Sequence, residues 1–242
     1  LAALAPDAVV LVGDDQMENY TADALPQMLV YVGGDYLADD WARGVNARVA
    51  NDPGLALGLV EGCLDEGFDV CYARTFRDGK LVSHAHTEPT LYLVGADGPP
   101  VVPVFLNAVH PPVPSPARGY AFGRALRKVI DARFPGKRVV LGASGGLSHF
   151  SPSHPWAHHI GTRYVGDISV DFDERIVGRM RTGDGAALAA LRTPELIEHG
   201  EGELLNWIVL LGATGAVRPD FLVYEPFYRA IMGMGAGWWA LG

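Results

Sequence analysis

Unbroken apolar runs alternate along this chain with stretches of helical spacing, and the alternation predicts an α/β fold. Ala8–Gly13 (AVVLVG) and residues 28–33 (MLVYVG) are continuous runs of the kind found in strands covered on both faces. Residues 55–66 have helical spacing that stops at Gly67, and residues 68–72 (FDVCY) read as the next strand. Residues 101–108 (VVPVFLNA) are predicted as a further strand. Pro103 cannot donate to a ladder, so an edge or a bulge is expected there. The turn-rich HPPVPSPARG leads into a helix over 119–134, amphipathic through Ala121, Leu126, Val129 and Ile130. Residues 138–142 form a strand, 172–181, 185–191 and 203–212 are predicted helices, and 221–224 is the last strand. No internal repeat, low-complexity tract or linker interrupts this order. The prediction is a single α/β domain over residues 1–242, with a mostly parallel central sheet flanked by helices.

Composition narrows the function classes. Of the 242 residues, 49% are hydrophobic and 19% charged, as in a globular chain without a disordered tail. No apolar run reaches the length of a membrane span, and no basic segment leading into an apolar stretch suggests a secretory signal. The formal net charge of −9 argues against a nucleic-acid partner, because neutralising phosphates requires clustered Lys and Arg. Cys63 and Cys71 are placed on a buried helix and a buried strand, and neither their number nor their spacing makes a disulfide frame or a zinc site. A reducing cytoplasm is the expected compartment.

Several segments carry candidate chemistry beside plainer readings. Gly142-Ala143-Ser144-Gly145-Gly146 matches the G-x-S-x-G nucleophile elbow and follows a strand, which would make Ser144 the nucleophile of a hydrolase. The elbow needs a helix next, and LSHFSPSHPW, with Pro152 and Pro155, is poor helix material. The plain alternative is a glycine turn that allows close packing. His149 would lie at the carboxyl end of a strand, where open α/β sheets place ligands and an imidazole can move protons near neutral pH.

His84 and His86 form an H-x-H pair that would share a face if extended; in a loop before Pro89 they would be solvent-exposed, and for His86 exposure is the expectation. His110, before two prolines, is expected in a turn, and His154, His158 and His159 on a surface loop behind His149. GDDQMENY (13–20) puts acidic residues after a strand as caps, ligands or a solvated loop. Glu203 falls on the first turn of an apolar helix, where a carboxylate complements the dipole or, if buried, seeks a cation. The terminal GMGAGWW looks like part of a dinucleotide fingerprint without its βαβ unit, so tight packing is expected.

Taken in order, PDAVVLVGDDQMENY, GFDV, SHAHTEP, VFLNAVHPPVPSPARGYAFGRAL, LGASGGLSHF and GEGELLNWIVLLGA resemble class III extradiol dioxygenases, and among them the protocatechuate 4,5-dioxygenase beta-subunit type with gallate and methylgallate dioxygenases. GGLSH followed about fifty residues later by E-L-x-N-W is the most specific part. The resemblance implies one non-haem Fe(II), O₂ as co-substrate, and ring-opening of a catechol- or gallate-type diol to a muconic semialdehyde-type product in aromatic catabolism. It implies Glu203 as the metal-binding glutamate, His149 as the acid/base and His84 as a second pocket histidine. It also implies a homodimer or a small alpha-type subunit as partner.

Two departures accompany it. The family's first iron histidine would precede Leu1, so a missing N-terminal segment is expected, and Gln16 stands where the second iron histidine is expected. Either Gln16 or nearby Glu18 binds metal, or His84 or His86 supplies the nitrogen, or the site is empty and the protein is a noncatalytic binding or regulatory protein on the same fold.

Overall fold

A computed structural model describes residues 2–40, 44–77, 81–150 and 164–241. Its core element is a five-stranded sheet. The strands are β1 (Ala8–Gly13), β2 (Met28–Tyr31), β5 (Cys71–Ala73), β6 (Val101–Leu106) and β7 (Val139–Ala143), in the order β5-β2-β6-β1-β7. β1 pairs in parallel with β6 and β7, β2 in parallel with β5, and only β2 against β6 is antiparallel. The mostly parallel α/β class read from the apolar runs is therefore present. Every residue of β1, β2 and β6 is buried, as continuous Val and Leu runs require when both faces are covered.

The chain divides into two compact units. One comprises residues 1–107 and 125–144, the other residues 108–124 and 145–242. The first holds the sheet, the hairpin β3 (Tyr36–Asp40) with β4 (Val45–Val49), helix α1 (Pro53–Asp65) and the short helix α2 (His84–Pro89). α1 starts where Asp52 accepts the Leu55 amide at 2.9 Å, with Pro53 in its first turn, both standard start signals. Helix α3 (Pro116–Arg133) runs through the division. Its C-terminal half packs in the first unit against α1, where Gly62 lies so close to Val129 that a Cβ would meet its methyl at 2.5 Å. Arg133 bridges Glu61 and Asp65 of α1 across this contact.

The second unit holds α4 (Val170–Thr182), α5 (Gly185–Ala189), α6 (Thr193–Glu198), α7 (Leu204–Thr214) and a hairpin of β8 (Phe221–Phe227) with β9 (Met232–Trp238). α7 is the most buried of these, and Gly212 presses its backbone onto Tyr120 of α3. α4 ends at Gly183, whose φ of 75° is the left-handed cap that glycine adopts without cost.

Four expectations need correction. Pro103 sits in a central strand, just beyond the last residue of β6 that pairs with β2, so the missing N–H does not interrupt that ladder. The strand expected at 68–72 is Cys71–Ala73, an edge strand, and edge position is why Cys71 is exposed while Cys63 is buried. The strand expected at 221–224 is the longer first arm of a hairpin, whose second arm is the glycine-rich GMGAGW run. Glu203 is the residue preceding α7, not part of its first turn. Among the described residues no helix is long and apolar enough to cross a membrane.

Candidate active site

In the second unit, two segments far apart in sequence clasp each other. The first is the glycine turn 145–150. The second is the lead-in to α7, GEGE (200–203), with α7 itself. Gly145 packs so closely that a Cβ there would lie 2.9 Å from the Glu203 Cβ and 3.1 Å from the Asn206 amide nitrogen. Trp207 donates its indole N–H to the Gly145 carbonyl at 2.8 Å, and Glu203 Oε2 accepts the Gly146 amide at 2.5 Å. Glu203, just before α7, together with Asn206 and Trp207 of its first turn therefore grips the glycines.

This grip sets His149 against Glu203. The His149 backbone N–H donates to the Gly200 carbonyl at 3.0 Å, and its ring Nδ1 donates to the Leu147 carbonyl at 2.8 Å. A carbonyl only accepts, so Nδ1 carries the proton of the neutral ring and Nε2 is the exchangeable nitrogen. Nε2 lies 3.5 Å from Glu203 Oε1. Both residues are buried, His149 at 5% and Glu203 at 6% exposure. Two acceptor atoms facing each other in a dry setting attract a proton or a cation, which is the electrostatic property an acid/base or metal site needs.

Behind His149 lies a buried polar cluster. Asp173 of α4 accepts the Ser148 amide at 3.2 Å, the Ser148 hydroxyl at 2.9 Å and the Tyr224 hydroxyl at 2.6 Å. Burial first, and the neighbouring Asp173 carboxyl second, hold Glu201 well above the usual carboxylate range. Nothing in the sequence pattern pointed to Asp173, because a carboxylate in the first turn of an amphipathic helix reads as a solvated dipole partner.

In the first unit, the acidic loop after β1 folds back on α2. Asp15 accepts the amides of Asn19 and Tyr20 and so shapes the loop; burial outweighs these bonds and raises its pKa. Glu18 accepts the backbone N–H of His84 and lies 3.0 Å from its Nδ1. Burial pushes the Glu18 carboxyl up, but the His84 bonds and charge outweigh it and the net shift is downward. Gln16 is half-buried in the same loop.

His86 departs from the expectation of exposure: it is fully buried, with Nε2 against the Val104 carbonyl at 3.1 Å and Nδ1 against the Ser83 hydroxyl at 2.8 Å. Burial lowers its pKa to about 4. The reason is the helix: residues two apart in α2 point in nearly opposite directions, so His84 faces out and His86 faces in.

Ser144 follows β7, but residues 145–150 form a turn and an isolated bridge to Met232 with no helix, so the nucleophile elbow is not formed. His149 likewise lies beyond the strand end at Ala143, on that turn. His110 lies in the loop before α3 as expected. His154, His158 and His159 fall outside the described residues. Among the described residues no group of three His, Cys, Asp or Glu side chains could hold a metal by itself.

Comparison with known proteins places this arrangement. The chain is 30% identical to the 2,3-dihydroxyphenylpropionate/2,3-dihydroxicinnamic acid 1,2-dioxygenase of Klebsiella pneumoniae strain 342 over 282 aligned positions, covering 98% of this chain and 86% of that protein. It is 26% identical to the same-named protein of Burkholderia vietnamiensis strain G4, covering 99% and 84%. A crystal structure of an uncharacterised Escherichia coli K12 protein matches with a TM-score of 0.52 at 18% identity, covering 91% of this chain and 80% of that one, which supports the fold. The family model described as the catalytic LigB subunit of aromatic ring-opening dioxygenase matches residues 1–235. Membership implies use of a metal and of O₂. A buried imidazole set against a buried carboxylate, on motifs that match along nearly the whole chain, thus belongs to an aromatic ring-opening dioxygenase of the LigB family.

Proposed function

We propose that this chain opens a catechol-type ring in the extradiol sense with Fe(II) and O₂, that His149 handles the protons, and that Glu203 is one donor to the metal. The observation that carries this reading is the 3.5 Å approach of His149 Nε2 to Glu203 Oε1 in a buried setting. The donor chemistry fits a divalent cation at Glu203: a buried carboxylate keeps its charge where an opposite charge meets it. Gln16, His84 and Glu18, on one loop and the helix it contacts, are the candidate ligands and substrate contacts of the first unit. Bound Fe(II) supplies electron transfer between a chelated diol and O₂.

The protein's own part follows from the hydrogen bonds. With Nδ1–H committed to Leu147, only Nε2 exchanges protons, so His149 takes the proton that a diol hydroxyl loses and returns it to the opening ring. The Glu203 carboxylate stabilises the imidazolium in between. Burial keeps water from competing for that proton. His84, whose Nδ1 lies against Glu18, is the second pocket histidine of this reading, with the role of orienting a substrate oxygen. The substrate named for the similar Klebsiella and Burkholderia proteins, 2,3-dihydroxyphenylpropionate, is the first diol to test. The two free thiols fit a reducing cytoplasm.

The test is oxygen uptake after anaerobic Fe(II) loading, across a panel of catechols and gallates. Uptake with at least one diol, abolished by a chelator and restored by Fe(II), is expected; no uptake with any diol contradicts the proposal. Glu203→Gln is expected to lower iron retention, whereas His149→Phe keeps the iron and loses turnover.

A further inference from the structure

We infer that Asp173 is a positioning residue for His149, acting through Ser148 from the side opposite Glu203. This rests on the proposed role of His149. In an extended segment successive side chains point to opposite sides. Here His149 goes to Glu203 while Ser148, its chain neighbour, goes to α4.

Ser148 is fully buried and every polar atom it has is engaged. Its amide and hydroxyl both donate to Asp173, its hydroxyl oxygen accepts the Ser169 amide at 2.7 Å, and its carbonyl accepts the Gly233 amide at 2.9 Å. Asp173 is fully buried too, and Tyr224 of β8 donates to the same Oδ2 that takes the Ser148 hydroxyl. One carboxylate therefore ties the catalytic turn to a helix and to the hairpin at once. Gly233 leaves no slack on the hairpin side, since a Cβ there would meet Asp173 Oδ2 at 2.1 Å.

A histidine held only by its backbone bond to Gly200 and its ring bond to Leu147 could swing with the turn. Leu147 is itself on the turn, so the ring bond moves with it and does not fix the imidazole in space. Trp207 and Glu203 hold the glycine end of the turn, Gly200 and Gly233 hold residues 147–149 by backbone bonds, and Asp173 is the side chain that holds Ser148, the neighbour of His149, with two bonds. Small displacement of a proton-transfer group lowers the chemical step far more than binding.

The experiment compares kcat and KM of iron-loaded, folded wild type and Ser148→Ala with a diol that the wild type turns over. A kcat lowered by about tenfold or more, with KM within about twofold, is the expected result. A kcat within about twofold of wild type overturns the inference. Should Ser148→Ala fail to fold, Tyr224→Phe, which removes one hydroxyl from the same carboxylate, is read by the same criterion. His149→Phe is measured alongside. If it collapses while Ser148→Ala turns over normally, the positioning role is wrong and the reading of His149 stands; if His149→Phe itself keeps activity, both fall.

Discussion

His86 shows how one buried imidazole ties acid stability to the fold. It is held between the Val104 carbonyl and Ser83, whose hydroxyl also reaches the Asp14 carbonyl, and burial lowers its pKa from 6.5 to about 4. Between those values the unfolded chain binds a proton that the folded chain excludes, so stability rises with pH across that window. The contribution is complete above pH 6.5 and is lost as pH falls to about 4, amounting to about 3 kcal/mol if the site stays closed. Urea unfolding at pH 7 and pH 4.5 should show a smaller acid loss in His86→Asn than in the wild type; an equal loss in both contradicts the assignment. The side chain was visible in the sequence but its burial was not, because an H-x-H pair shares a face in a strand and splits in a helix, and SHAHTEP has no run long enough to separate the two. Glu203 and His149 stood out in the sequence because each lies in a motif, GEGELLNW or GGLSH, and those motifs meet in the fold through the Trp207–Gly145 bond and the close approach of Gly145 to Glu203.

Helix packing in the second unit depends on two glycines. Gly212 of α7 would place a Cβ 2.1 Å from the Tyr120 carbonyl oxygen, and Gly123 of α3 would place one 1.8 Å from the Val209 carbonyl oxygen. These are backbone atoms, which cannot rotate away, so Gly212→Ala forces the helices apart. A loss of about 3 kcal/mol is expected, read as a lowered unfolding midpoint; an unchanged midpoint contradicts the packing. The long helices α1, α3, α4 and α7 were legible to within a few residues because their apolar pattern, a stripe in α3 and α4 and nearly the whole surface in α7, runs over three turns or more. Several of the short elements were not. β3 and β4 are five residues each, α6 is six, and β9 carries three glycines in seven positions, which reads as tight packing and not as a strand until its partner β8 is in view.

Across the whole chain, the parallel sheet and the family were legible from the order of segments, since buried parallel strands require continuous apolar runs and the motifs kept their sequence. What pattern alone did not reveal is the support beneath the motifs: the Asp173 cluster and the Glu18 bond to His84 join residues 25 and 66 positions apart, and such long-range polar pairs leave no periodic trace. The most direct test of the account is dioxygen consumption by iron-loaded His149→Phe with a catechol-type diol that the wild type cleaves. A fall of about a hundredfold or more at unchanged iron content is the predicted result; consumption at the wild-type rate would contradict the assignment of His149 as the proton carrier of the ring-opening reaction.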